Sequence, residues 1–468
     1  MLKILTLFLG LATGLFAAAL PSQSIVQISS SVSLPNYQYP WQSGKIQELG
    51  GSGAIIAGQM ILTSAHVVSD AKFIQVSKEN GSKKYTATIK HISHQADLAL
   101  LDVKDKSFFE GSVPLKISTD VKQGDAITAI GFPIGGTTIS TTKGVISRIE
   151  QIKYSWSGAS LLGIQVDAAI NPGNSGGAAI NAKGEMIGIA MQGLTKANNI
   201  SYIVPSIIVN TFLLDCKDGK IDGFDNNENK VQFLNNDALK NHYGQKGDKG
   251  IIVTHLDKNE HELRLGDILL SVDNHPISND GTIKTPYGVM SFKYALHTKP
   301  VGNTLKMNIL RDNKNIDIAY TLKQKHRIVY SESNKEPRYL IYGGFIFSPL
   351  TYNYLLLINS SNSNFELYFL ENAKTKHFKE AVMMLYETLP HEINTGYHSH
   401  GDIVKSVNGI LVEDFEHFVK LIDASSTPLT IIEFIDEDFK KIILDTQKAK
   451  ESFEDIKAIY GLSSDRNL

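Results

Sequence analysis

The feature that most constrains this chain is a dense run of short extended segments between residues 24 and 213. Ser24–Ser30, Gly53–Ile56, Ile61–Ser64, Phe73–Val76, Thr86–Ser93 and Leu98–Val103 are rich in apolar and β-branched side chains, and turn residues separate them. Ala126–Phe132, Thr142–Ile149, Gly163–Val166, Ala178–Ile180, Met186–Gln192 and Ile200–Val204 continue the pattern. Strands this short and closely spaced bury their apolar faces by closing into barrels or by stacking as a sandwich. The sharp turns between them call for glycine, and the chain carries 37. A helix is expected over residues 206–216.

The next stretch, residues 217–230, is polar and turn-rich and reads as a linker with a hairpin. It looks superficially like a calcium loop. Counted from Asp218, however, the third position is Lys220 and the twelfth is Asn229, where calcium needs oxygen ligands ending in a bidentate glutamate. Beyond it the chain repeats itself: Gly266–Asn274 recurs as Gly401–Gly409 at a constant offset of 135 residues. Each copy is a tight turn, an apolar strand and a two-residue polar turn suited to a hairpin. Helix-like stretches follow at Ser291–His297 and Asp414–Ile422, and then strand pairs turning near Asp312-Asn313 and Asp436-Glu437. Each copy has the size of a small domain. The second is preceded by a long prelude, residues 337–390.

Composition removes several functions. The 46 basic and 48 acidic residues leave a net charge of -2, which argues against a dedicated nucleic-acid binder. The single cysteine, Cys216, allows no internal disulfide and reads as a small buried apolar residue. His391, His398 and His400 match no metal-ligand spacing, and no Walker A pattern is present, so neither metal nor cofactor is expected. Lys3, the uncharged run Ile4–Leu15 and Ala17-Ala18-Ala19 read as a secretory signal over residues 1–19.

Three segments carry chemistry. Leu62–Val68 sets His66 at the end of an apolar strand among small neighbours. His94–Leu101 sets Asp97 directly before another, and Asn171–Gly177 surrounds Ser175 with glycines that permit a tight turn. A serine hydroxyl is a poor nucleophile until a neutral imidazole takes its proton, and the imidazole needs an acceptor to fix its tautomer. His66, Asp97 and Ser175 supply those roles at spacings of 31 and 78 residues. The amides of Gly173 and Ser175 supply an oxyanion hole. Asp70 and Asp102 are weaker rivals for the acid: Asp70 follows His66 too closely, and Asp102 lies at the far end of its strand.

The order T-S-A-H, A-D-L-A-L-L, G-N-S-G-G is that of chymotrypsin-like serine proteases, and the repeated block resembles the central strand of a PDZ domain. Together they make the chain resemble the HtrA/Deg proteases over nearly all of its length. Gly51–Ile56, Ala129–Pro133, Thr142–Ser147 and Val166–Asn171 extend the likeness. Pro35–Tyr37 with Pro40–Gln42, Ser278–Thr282, Phe347–Thr351 and Ile393–Tyr397 make it most similar to the plant-type members with two PDZ domains. The resemblance implies a mostly β fold: a chymotrypsin-like double β-barrel over residues 20–215, then two PDZ-like α+β domains over 216–328 and 329–468. It implies a serine endopeptidase that degrades unfolded or damaged proteins; the missing Walker A pattern makes it ATP-independent, and the export signal points to exported substrates and the periplasm. The resemblance also implies trimer-based homo-oligomers and a peptide ligand at a PDZ domain.

In this fold the residue six before the nucleophile lies at the base of the specificity pocket. Here it is Ala169, which gives a Lys or Arg side chain no partner. With Ile200, Ser201 and Tyr202 on the far wall, cleavage after small or aliphatic residues is expected. Gly223-Phe224 is followed by the acidic, polar run Asp225–Lys230 where the family carries its carboxylate-binding loop, and that run would repel a carboxylate. The rival function is a non-catalytic chaperone or peptide-binding protein retaining the same fold; such a protein has no need of all three catalytic groups.

Overall fold

The computed structural model describes residues 21–81, 83–133, 136–193, 200–245, 247–325, 328–357, 378–399, 401–435 and 440–468. Twelve strands form two closed antiparallel barrels. The first contains β1 (Ile25–Pro35), β2 (Ser43–Ile56), β3 (Met60–Thr63), β4 (Ala71–Ser77), β5 (Tyr85–Ser93) and β6 (Leu98–Val103), in the order β1-β2-β3-β6-β5-β4. Pairing of β4 with β1 closes it. The second contains β7 (Ala126–Gly131), β8 (Ser140–Lys153), β9 (Ser160–Val166), β10 (Ala178–Ile180), β11 (Met186–Gly193) and β12 (Ser201–Pro205), and β10 pairs with β7 to close it. Every extended segment expected from the sequence falls on one of these strands.

Each barrel is filled by the inward side of its strands: Val26, Ile28, Ile61, Val76 and Leu101 in the first, Ile127, Ile146, Ile164, Ile187 and Ile203 in the second. Burying each such side chain is worth about 1.5–3 kcal/mol against leaving it in water. A third cluster, with Leu62, Leu98, Ile130, Phe132, Ile189 and Val204, joins the barrels to each other. It continues through Phe212, on the helix Ser206–Asp215, into the first repeated module.

That module is a sheet of Lys230–Phe233, Ile251–His255, Ile268–Val272, Thr304–Arg311 and Lys314–Thr321, in that order. The repeat holds in three dimensions. Asp273 and Asn274 have φ of 45° and 67°, and the matching Asn408 and Gly409 have 49° and 80°. Positive φ at both central residues makes each a type I′ hairpin turn, the type whose twist suits paired strands. Asp312 and Asn313 turn in the same way, while residues 436–437 lie outside the described residues.

Two local expectations differ from the structure. The helix after the first copy is one turn, Lys293–Leu296, because Ser291 ends the strand Gly288–Ser291. The stretch 217–230 contains no hairpin; its first strand begins at Lys230. Asp215 accepts the amides of Asp222 and Gly223, and Asp257 accepts that of Glu228, so side chains hold this loop instead of a ladder.

In the second module the prelude supplies a sheet of its own, Tyr339–Tyr342 and Phe345–Pro349 flanked by Arg466–Asn467 and Val382–Thr388. The helix Phe415–Ala424 starts where Asp414 accepts the His417 amide. Tyr37 and Trp41, on the β1–β2 connection, pack into this module against Val329, Tyr339, Ile341 and Leu350. Trp41 meets the Tyr339 ring edge-on at 6.0 Å. Among the described residues no helix is long and apolar enough to cross a membrane, and the expected export signal lies outside them.

Candidate active site

The acid and the imidazole come from the first barrel. Ser64 leaves β3 in extended conformation and the one-turn helix Ala65–Val68 follows, which carries His66 out of the sheet to within ring contact of Trp156 on the second barrel. Asp97 ends the turn His94–Asp97, closed by its amide on the His94 carbonyl, and leads into β6. Its φ is 53°, a left-handed conformation that Asp tolerates better than most residues. The carboxylate is fully buried and grips His66 at two places. His66 Nδ1 lies 2.8 Å from Oδ2 and 3.0 Å from Oδ1, and the His66 amide donates to Oδ1 at 2.9 Å. A carboxylate offers acceptors alone, so the ring carries its proton on Nδ1 and presents Nε2 as a base. Tyr154, fully buried behind the pair, keeps its phenol proton: burial and the Asp97 charge push it well above the usual tyrosine range. Its hydroxyl donates to the Leu162 carbonyl at 2.6 Å.

Ser175 comes from the second barrel, on the loop before β10. The loop is pinned at several of its peptides. Asn174 N donates to Asn171 O, Gly177 N to Asn174 O, and Gly176 N to Ala190 O, at 2.8–3.0 Å. Ser52, buried on β2, donates its hydroxyl to Gly173 O and accepts from Phe132 N, both at 2.7 Å. Its amide also donates to Ser175 O. Gly173 and Gly176 sit at φ of 99° and 82°, where a side chain would be strained. Among the described residues the amides of Gly173 and Ser175 donate to nothing. Ser52 was missed as a functional residue; the signal was a lone hydroxyl between two glycines on an otherwise apolar strand end.

The structure brings His66 and Asp97 together but turns the Ser175 hydroxyl elsewhere: Oγ donates to the Met191 carbonyl on β11 at 2.9 Å. Among the described residues, His66 Nε2 has no hydrogen-bond partner. Catalytic contacts are commonly looser without substrate, and rotation about one side-chain bond moves a serine Oγ between such partners. Trp156, on the β8–β9 connection, lies with its ring 6.1 Å from that of His66 and is 44% exposed. Nothing in its polar sequence surroundings pointed to this place.

At the expected pocket Ala169 is exposed, and its carbonyl accepts from Thr142 Oγ1 at 2.8 Å. Ile200 and Tyr202 are half-buried. Ser201 is buried and its hydroxyl is committed to the Ile170 amide at 3.2 Å. The rival acids point away: Asp70 pairs with Asn334 and Asp102 with Lys106. Cys216 is half-buried rather than fully buried, and burial pushes its thiol up to about 12, which leaves it unreactive at neutral pH. Among the described residues no group of three or more His, Cys, Asp or Glu could hold a metal ion.

In the first module the acidic loop after Phe224 is occupied by the chain itself. Phe224 N donates to Gln95 Oε1, Asn226 N to Lys323 O, Glu228 N to Asp257 and Asn229 N to Asn227. Burial pushes the Asp225 carboxyl up to about 6. A cavity of about 1100 Å³ runs from His94 and Trp156 to Val231, Leu269, Phe292 and Leu296 of this module.

Comparison with known proteins agrees with this layout. The trypsin-like peptidase domain matches residues 51–189, and a PDZ domain matches residues 328–467. Protease Do-like 4, mitochondrial, of Arabidopsis thaliana is 33% identical over 450 residues, covering 94% of this chain and 84% of that protein. Protease Do-like 2, chloroplastic, of the same plant is 31% identical over 456 residues, covering 95% and 74%. Among solved structures, a serine-to-alanine form of the HtrA-type protease AlgW with a decapeptide is similar at 21% identity and a TM-score of 0.50, over 65% of this chain and 96% of that one.

Proposed function

The chain belongs to the Do-like (HtrA/Deg) family of serine proteases, and from that premise we propose that His66, Asp97 and Ser175 are the catalytic triad of this serine endopeptidase. The observation that carries the reading is the buried Asp97 carboxylate bonded to both Nδ1 and the backbone amide of His66. It fixes the proton on Nδ1 and leaves His66 Nε2 as the base. In the reaction Ser175 Oγ leaves the Met191 carbonyl, gives its proton to Nε2 and bonds to the substrate carbonyl carbon. The carbonyl oxygen, now an anion, is received by the amides of Gly173 and Ser175. Nε2 then returns the proton to the leaving amine, and water repeats the sequence on the acyl-enzyme.

The substrates we propose are unfolded or damaged exported polypeptides, cut without ATP after small or aliphatic residues. The uncharged Ala169 supports this preference, since such side chains lie inside folded proteins. The apolar, positively started residues 1–19 support export, and the family supports a trimer-based homo-oligomer. A peptide at the first module would be held by the cavity end lined by Val231, Leu269, Phe292 and Leu296 rather than by a terminal carboxylate, since several loop amides that would grip one are already bonded.

The test is hydrolysis of unfolded casein by the protein and by Ser175→Ala. Cleavage by the first alone is expected. No cleavage by the intact protein overturns the assignment as a working protease, and equal cleavage by both overturns Ser175 as nucleophile. Cut sites dominated by Lys or Arg overturn the reading of Ala169.

A further inference from the structure

The turn His94-Gln95-Ala96-Asp97 ends on the catalytic acid, and it is held from outside the barrel by both repeated modules. Gln95 makes a reciprocal pair with Phe224, at the entrance to the first module. Its Nε2 donates to the Phe224 carbonyl and its Oε1 accepts the Phe224 amide, each at 2.9 Å across 129 residues. Gln324, at the far end of the same module, donates to that carbonyl at 3.1 Å and reaches Gln95 Oε1 at 3.5 Å. On the other flank is Asn334, in the segment that leads into the second module. Its Nδ2 lies 3.2 Å from His94 Nε2. Asn334 is itself fixed on the barrel by a second reciprocal pair: its amide donates to Asp70 Oδ1 at 2.5 Å, and its Oδ1 accepts the Asp70 amide at 2.6 Å. Lys72 and Glu336 close an ion pair beside it.

Inside the turn there is little slack. Ala96 is fully buried, the Asp97 amide closes on the His94 carbonyl, and Asp97 is held at positive φ. A rigid-body shift at residues 94–95 therefore passes directly to the carboxylate two residues on. We propose that Gln95 is a positioning residue: docking of the first module through Phe224 sets the Asp97–His66 geometry. Asn334 applies the same constraint from the second module through His94. Neither residue touches substrate; both act through the acid. The inference rests on Asp97 being the catalytic acid.

The experiment measures peptide hydrolysis by the full chain, by Gln95→Ala, by Asn334→Ala and by the double variant. Active serines are counted by titration with an organophosphonate, so that misfolded molecules drop out. Gln95→Ala is expected to lower kcat per titrated site about tenfold or more, with KM within about twofold, as displaced catalytic geometry does. Asn334→Ala should lower it less, and the double variant should lose less than the product of the two, because both act on one turn. If Gln95→Ala does not fold, Gln95→Glu replaces it: the carboxylate still accepts the Phe224 amide, loses the donor, and should fall between the wild type and alanine. Wild-type kcat per titrated site in the glutamine variants overturns the proposal. So does a loss confined to KM or to the number of active serines. An inactive wild-type chain would instead overturn the function on which the proposal rests.

Discussion

Replacing Asp97 by asparagine separates what the acid does for geometry from what it does for charge. The two oxygens accept three contacts from one residue: Oδ1 takes the His66 amide at 2.9 Å and shares Nδ1 with Oδ2 at 3.0 and 2.8 Å. An amide has one acceptor and one donor group there. If the NH2 group faced the His66 amide, two donors would meet in a fully buried place, at a cost of about 1–3 kcal/mol. The amide therefore orients the other way, with oxygen on the backbone N–H and NH2 toward Nδ1. The ring answers by moving its proton to Nε2, and Nε2 can no longer take a proton from Ser175. In a triad of this kind that error lowers kcat about 10⁴-fold, or about 5.5 kcal/mol of transition-state stabilisation. The fold keeps its backbone hydrogen bond, so the melting temperature should move by only a few degrees. Casein hydrolysis at matched concentration, beside a thermal melt by circular dichroism, measures both. An Asp97→Asn protein within tenfold of wild-type activity would refute the argument, because it would show that the carboxylate does not set the tautomer of His66.

Gly176→Ala should abolish hydrolysis and lower stability by about 1–3 kcal/mol. It forces a side chain to φ of 82° and drives a methyl into the Ser52 carbonyl and Thr63 Oγ1; hydrolysis and a urea titration read both effects. His297, buried with its imidazole pushed down to about 4 by desolvation, is neutral in the fold, whereas an unfolded chain protonates near 6.5. Its contribution is present above pH 6.5 and is lost as pH falls toward 4, about 3 kcal/mol in full. The Asp225 carboxyl, raised by burial, acts in the opposite sense as pH rises from 4 to 6. Urea titrations of His297→Leu against wild type should therefore show the wild type losing ground between pH 7 and 4. Trp41→Ala should cost about 2 kcal/mol, below the value for a fully buried ring, and should expose residues 328–339 to limited proteolysis, because the ring packs the second module on the barrel.

How much of this was legible depends on where each signal is stored. The barrel strands announce themselves because each is a short apolar run that must be buried on at least one side. The outer halves of β2 and β8 do not: Ser43–Gly50 is nearly all exposed and lacks alternation, and it is a strand because β1 pairs with it from Ser29 to Pro35. The hairpin expected in 217–230 failed for a related reason. Its Asp and Asn side chains suit turns, but here they accept amides from distant parts of the chain, and no local pattern encodes that. At the site, the residue types and their order pointed to His66, Asp97 and Ser175. The hold of Ser52 on Gly173, the place of Trp156 beside His66 and the pairing of Gln95 with Phe224 link residues 90 to 129 apart. Such contacts leave no trace in periodicity or spacing.

The magnitudes also say what the polar contacts at the His94–Asp97 turn are for. The modules do not need them in order to stay attached. Phe212, Phe224 and their neighbours form one continuous apolar cluster with the barrels, and Tyr37 and Trp41 enter the core of the second module. Each fully buried large side chain in such a cluster contributes about 1.5–3 kcal/mol. A hydrogen bond that replaces one made with water contributes about 0.5–1.5 kcal/mol, and the pair at exposed Asn334 sits at the low end of that range. Attachment is thus set by the apolar contacts, which are non-directional and tolerate sliding. The Gln95–Phe224 pair is directional and reciprocal, and with the Asn334–His94 contact it fixes angle and register at the turn that ends on Asp97, the acid of the proposed triad. A contact that adds little to affinity but much to geometry, placed two residues from Asp97, is expected to show its consequence in the rate rather than in the fold.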